Sequence, residues 1–128
     1  MKFLLLAGIL LTVTITMAQN SANPLTNHID IGNPKIKGET KFNTADQSYS
    51  LKGGGANIWN NRDEFHYAYT MLKGDFMLTA NVKLMNIGKD GHRKIGWMVR
   101  ASQQDDAAHI SATLHGDGTN ELQWRPFF

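Results

Sequence analysis

The sequence contains no cysteine. That absence excludes a disulfide framework, a thiol nucleophile and an N-terminal lipid anchor. An excess of charge of one sign is also missing. Thirteen Lys and Arg stand against eleven Asp and Glu, and neither sign forms a run. Nucleic acid and an anionic membrane surface therefore fall away as partners. No segment shows apolar residues recurring at a 3.6-residue period, so no amphipathic helix is expected. The strings Gly-x-Ser-x-Gly, His-Glu-x-x-His and His-x-His, the phosphate-binding loop, the dinucleotide fingerprint and the EF-hand loop are all absent. The chemistry that each of them serves has no support here.

One long apolar run is present. Phe3 to Met17 carries no charge and follows a single basic residue, Lys2. The run is shorter than the roughly 20 residues of a spanning helix. Small residues at Thr16 and Ala18 suit a cleavage pocket, so residues 1–18 read as a secretory signal peptide cut before Gln19. The expected product is exported to the periplasm or beyond the cell, with no membrane span after cleavage. Residues 19–27 are polar, contain one Pro and read as a flexible leader. Residues 28–128 form the domain. Cleavage leaves about 110 residues, enough for one domain, and loss of Lys2 lowers the formal charge from +2 to +1.

Within that domain the period is two. Asp75 to Met85 is the clearest instance: Phe76, Leu78, Ala80, Val82 and Leu84 share one face. Lys94–Ser102, His109–His115, Glu121–Arg125 and Glu64–Thr70 repeat the alternation, and His28–Ile31, Thr40–Phe42, Gln47–Leu51 and Ala56–Trp59 are weaker candidates. Successive side chains of a strand point to opposite sides, so such patterns mark half-buried strands. Asp-Gly and Gly-rich connectors between them suit tight reversals. The expected class is all-β, an antiparallel sandwich. Trp97 and Trp124 fall with the apolar set, which assigns them to the core. The last strand is followed at once by Pro126-Phe127-Phe128. Nothing after it covers its edge, so the sandwich is expected to be incomplete at the C-terminus.

The polar parity set includes Arg100, His109, Ser111, Thr113, His115, Gln123 and Arg125. Trp59 stands apart, among Asn57, Asn60 and Asn61 in a loop-like stretch. An exposed indole there is suited to stacking on a sugar ring. The residues expected to bind a ligand are Trp59, Arg100, His109, His115, Gln123 and Arg125. Equally, the polar set fits an ordinary solvated outer face. No catalytic residue is expected. Asp63 and Glu64 are adjacent, so on a strand they point to opposite faces, and they read as solvated carboxylates. Glu121 and Asp117 are near in sequence, but Asp117 sits in a turn. His109 and His115 are about 20 Å apart along a strand, too far to share one ion, so no metal site is expected. Asp105, Asp106, Asp117 and loop carbonyls could hold calcium, which prefers oxygen ligands, but no EF-hand-like string supports it and no cofactor is expected.

Five strings occur together: Asp30-Ile31-Gly32-Asn33-Pro34, Asn61-Arg62-Asp63-Glu64-Phe65, Leu72-Lys73-Gly74-Asp75-Phe76, His92 to Arg100 (HRKIGWMVR), and His115-Gly116-Asp117-Gly118. In order and spacing they resemble the concanavalin A-like (lectin/glucanase, laminin-G-like) jelly-roll domain of exported bacterial proteins. There it precedes a Tol-type β-propeller described as a periplasmic biopolymer-transport component. The resemblance covers about residues 28 to 125. It implies a jelly roll whose concave sheet binds extended polysaccharide, with further strands and a propeller after the position of Trp124. Three functions follow as expectations. The first is a non-catalytic module that binds carbohydrate or serves a Tol-like propeller. The second is a glycan hydrolase whose catalytic carboxylates lie outside this chain. The third is a structural or protein-interaction domain.

Overall fold

The computed structural model describes residues 23–85 and 90–126. The signal-peptide segment 1–18, the start of the leader and the terminal Phe127 and Phe128 lie outside the described residues. Every regular element among the described residues is a strand, and every pairing is antiparallel. The all-β class expected from the alternation is therefore present.

The chain runs β1 (Asn27–Ile31), β2 (Glu39–Asn43), β3 (Ser48–Lys52), β4 (Ile58–Trp59), β5 (Arg62–Asp63), β6 (Phe65–Tyr69), β7 (Lys94–Arg100), β8 (His109–His115) and β9 (Asn120–Arg125). β2–β3 and β4–β5 are hairpins, β1 pairs with β6, and β7–β8–β9 form a meander. The turn of β4–β5 is only Asn60-Asn61, and Asn60 takes a left-handed φ of 53°, which Asn tolerates better than most residues. The turn after β8 closes with the His115 N–H on the Thr119 carbonyl at 2.8 Å, and Gly118 supplies a φ of 90°.

Side-chain alternation in β6 sends Phe65, Tyr67 and Tyr69 one way and His66 the other. The three aromatic rings form a row, 5.6 and 5.5 Å between centroids. This row meets the meander: Tyr67 Oη donates to the Met98 carbonyl at 2.9 Å, and the Arg100 guanidinium lies 5.3 Å over the Phe65 ring. On the other side, the imidazole of His66 joins β1 and β6 to the β2–β3 hairpin. Nδ1 faces Asp30 Oδ1 at 2.7 Å, and Nε2 lies 2.9 Å from Thr40 Oγ1. Both Asp30 oxygens also accept from the Gly38 N–H, at 3.0 and 3.2 Å. Burial works against the Asp30 carboxylate, but the His66 and Gly38 hydrogen bonds and the nearby Lys37 outweigh it and hold its pKa below the ordinary value.

Two expectations are corrected. Asp75–Met85, the clearest alternating segment, pairs with no described strand. Alternation gives a segment two faces, but a strand also needs a neighbour for its N–H and C=O groups. No hydrogen bond joins residues 75–85 to any other described residue. The second correction concerns which side of the meander is inside. On β8 the buried residues are His109, Ser111, Thr113 and His115, whereas Ile110 is 48% exposed. Opposite it Val99 and Trp124 are exposed, as is Leu122 in the next row. The polar side is covered by the β4–β5 hairpin and its flanks, and the apolar side is largely open. Trp124 is therefore not a core residue as placed. Among the described residues, Ile31 and Ala107 are the buried members of the hydrophobic core.

Candidate functional site

The register of the meander arranges its polar side in rows. Arg100, His109 and Arg125 are lateral neighbours at one end. Met98, Ser111 and Gln123 form the next row, then Gly96, Thr113 and Glu121, and finally Lys94 beside His115. The β4–β5 hairpin crosses over these rows and divides them into two regions of different character.

Over the first row sits Asp63, with no exposed surface. Arg125 grips it with two arms, Nη2 to Oδ1 at 2.6 Å and Nη1 to Oδ2 at 2.9 Å. Arg100 Nη1 reaches Oδ2 at 3.2 Å, and the Asp63 N–H donates to the Asp105 carbonyl at 2.8 Å. Parallel N–H···O pairs of this kind are the strongest carboxylate contacts that Arg makes. Both arginines also bind main-chain carbonyls: Arg125 those of Asn60 (2.6 Å) and Ala107 (3.0 Å), Arg100 those of Ser102 (2.7 Å) and Gln104. Hydrogen bonding to Asp63 raises the Arg125 pKa above its ordinary value. His109 Nδ1 lies 3.9 Å from Asp63 Oδ2. Burial drives its pKa down, more than the nearby carboxylate raises it, and the two arginines add to the fall. Arg100, Arg125, Asp63 and the His109 imidazole are thus gathered in one buried group.

Three of the six residues expected to bind a ligand, Arg100, His109 and Arg125, are thus turned inward and engaged with the protein itself. The side chains of Arg100 and His109 are 2% and 4% exposed. The sequence reading also placed Asp63 in solvent. Its partners lie 37 and 62 residues further along the chain, a separation at which local pattern carries no signal.

The other three, Trp59, His115 and Gln123, come together. They line one open cleft of about 370 Å³ with Asn57, His92, Lys94, Asp117, Thr119 and Glu121. Trp59 is 60% exposed and forms a wall on the hairpin. His115, Glu121 and Gln123 come from the sheet, while Asp117 and Thr119 come from the β8–β9 turn. The Thr119 N–H donates to Asp117 Oδ1 at 2.9 Å, and the Thr119 hydrogen bonds hold the Asp117 pKa below its ordinary value. His115 Nε2 is 2.9 Å from Glu121 Oε2, yet off the line of a hydrogen bond, so this buried nitrogen has no aligned partner among the described residues. Ser111 Oγ and Thr113 Oγ1, on the same side of β8, share that condition.

The two regions are mechanically linked. Lys94 Nζ holds Asn57 Oδ1 at 3.0 Å at one end of the hairpin. Arg125 holds the Asn60 carbonyl, next to Trp59, at the other. The buried ion cluster therefore fixes the backbone that carries the exposed indole. Among the described residues no set of three His, Asp or Glu side chains converges as a metal site would require. No protein-family model, no curated protein and no solved structure matches the chain.

Proposed function

We propose that the chain is an exported, non-catalytic β-sandwich module of the jelly-roll kind that binds carbohydrate in the cleft between the β4–β5 hairpin and the meander. The observation that carries this reading is the pairing of an exposed indole wall, Trp59, with a bed of polar side chains that both donate and accept hydrogen bonds. A sugar ring has an apolar C–H face for the indole and equatorial hydroxyls for amides, carboxylates and imidazoles. The open form of the cleft suits an extended chain rather than an enclosed small molecule. Titration of purified chain with soluble polysaccharide fragments, followed by Trp fluorescence and calorimetry, tests the reading. Binding that is lost in Trp59→Ala supports it, and equal binding by the two proteins overturns it.

A second reading, glycan hydrolysis, is favoured by one observation: Glu121 and Asp117 line the same cleft. Hydrolysis needs two carboxyl groups across the sugar. Release of reducing ends that stops in Glu121→Gln would support it.

A further inference from the structure

Residues 75–85 place Phe76, Leu78, Ala80, Val82 and Leu84 on one parity in a segment without a ladder. Phe76 (47%), Met77 (88%), Val82 (38%) and Met85 (79%) are exposed. Ala80 and Val82 stand across a cavity of about 410 Å³ from Ile95, Trp97 and Leu122 on the apolar side of the meander. The segment thus lies over one part of that side without forming a strand with any described residue. The rest of it is left open: Val99 is 41%, Ile110 48%, Leu122 60% and Trp124 69% exposed. A segment with no hydrogen bond to any other described residue leaves its N–H and C=O groups open to pairing with another strand.

We propose that residues 75–85 pair antiparallel with the same segment of a second copy of this chain, about a two-fold axis through Thr79. The charges in the segment choose this occupant and this register. It contains one acidic residue, Asp75, and one basic residue, Lys83. When Thr79 faces Thr79, Asp75 of each copy faces Lys83 of the other, Phe76 faces Val82 and Leu78 faces Ala80. Opposite charges directly across an antiparallel pair attract, and like charges repel. The symmetry makes the contact twice. Self-complementary surfaces of this sort are what a two-fold dimer requires. Two strands alone fall short of the roughly 1,000 Å² that a specific interface buries. The second copy's strand, lying beside the first, extends the cover over Ile110, Leu122 and Trp124 and supplies the remaining area.

The chain has no cysteine, so a single introduced thiol reports the register without ambiguity. Thr79→Cys places two thiols directly opposite one another, with Cβ atoms about 4.5–5.5 Å apart, within reach of a disulfide after small adjustment. Mild oxidation is expected to convert most of Thr79→Cys to a covalent dimer. Asn81→Cys, offset by four residues or about 14 Å, is expected to stay monomeric under the same treatment. In sedimentation equilibrium of the purified chain, Lys83→Asp and Asp75→Lys are each expected to weaken dimerisation about tenfold or more. The double variant is expected to recover it. A parent chain that sediments as a monomer at every concentration overturns the proposal. So does cross-linking at Asn81 in place of Thr79, or a double variant no better than either single one.

Discussion

Arg125 spans two elements at once: its guanidinium pairs with both oxygens of Asp63, and its Nε holds the Asn60 carbonyl beside Trp59. A stability determinant and a positioning determinant are thus the same side chain. Removal of Arg125 leaves Asp63 paired with Arg100 alone and its Oδ1 without a donor inside the buried cluster, at a cost of about 1–3 kcal/mol. Arg125→Ala is expected to lose that much in denaturant unfolding. Arg125→Lys keeps the charge but not the fork, and is expected to fall between the two. Where Arg125→Lys remains folded, its affinity for carbohydrate is expected to drop, because the turn next to Trp59 has lost its anchor.

Trp59 itself makes the opposite prediction. It is exposed and stands outside the buried cluster, so Trp59→Ala is expected to change stability by no more than about 0.5 kcal/mol. Carbohydrate affinity is expected to fall by at least about tenfold, as for the removal of a central aromatic anchor. Parallel unfolding and binding measurements on one preparation separate the two effects.

Acid is expected to act in two stages. His109 has a folded pKa below its unfolded value, so the unfolded chain takes up the proton first as pH falls. The stability it contributes is complete above the ordinary His range and declines below it. Asp30 also has a depressed folded pKa. Its contribution is present above the ordinary Asp value and is lost as pH drops through the folded one. Unfolding free energy followed from pH 8 to pH 3 checks both. His109→Gln is expected to flatten the upper stage, and Asp30→Asn the lower.

Gly32 carries a φ of 71°, and a Cβ there would stand 1.9 Å from the Asp63 carbonyl oxygen. Gly32→Ala therefore combines left-handed strain of about 1–2 kcal/mol with displacement of the strand that holds Asp63. The expected loss exceeds the strain alone, and thermal unfolding measures it.

Eight of the nine strands among the described residues were legible because period-two alternation or a short β-rich run marks each one. β5 was missed: at two residues, Arg62-Asp63 has no period to read. Parity showed which side chains share a side of the sheet, but not which side would be covered. That depends on where the hairpin Ile58–Asp63 lands, a contact between remote parts of the chain. For the same reason the polar residues could not be sorted in advance. Arg100 and Arg125 share a parity with Gln123, yet Asp63 captures the first two, and the cleft receives the third. Trp59, exposed in the cleft, stands out in the sequence because an aromatic residue among three asparagines is conspicuous without any tertiary information. The relay from Asp30 through His66 to Thr40 crosses three strands at separations of 36 and 26 residues, and no local string announces it.

The inward turn of the polar side of β8 has a thermal consequence. Positive heat capacity of unfolding comes from apolar surface newly wetted, while polar surface lowers it. Unfolding of a single chain wets little hydrocarbon that was dry before, and it hydrates two arginines, an aspartate and a row of hydroxyls. The calorimetric step between folded and unfolded baselines is therefore expected to be small for a chain of this length, and the curve of stability against temperature broad and shallow. Cooling, which weakens proteins built around an oily interior, is expected to cost this one little.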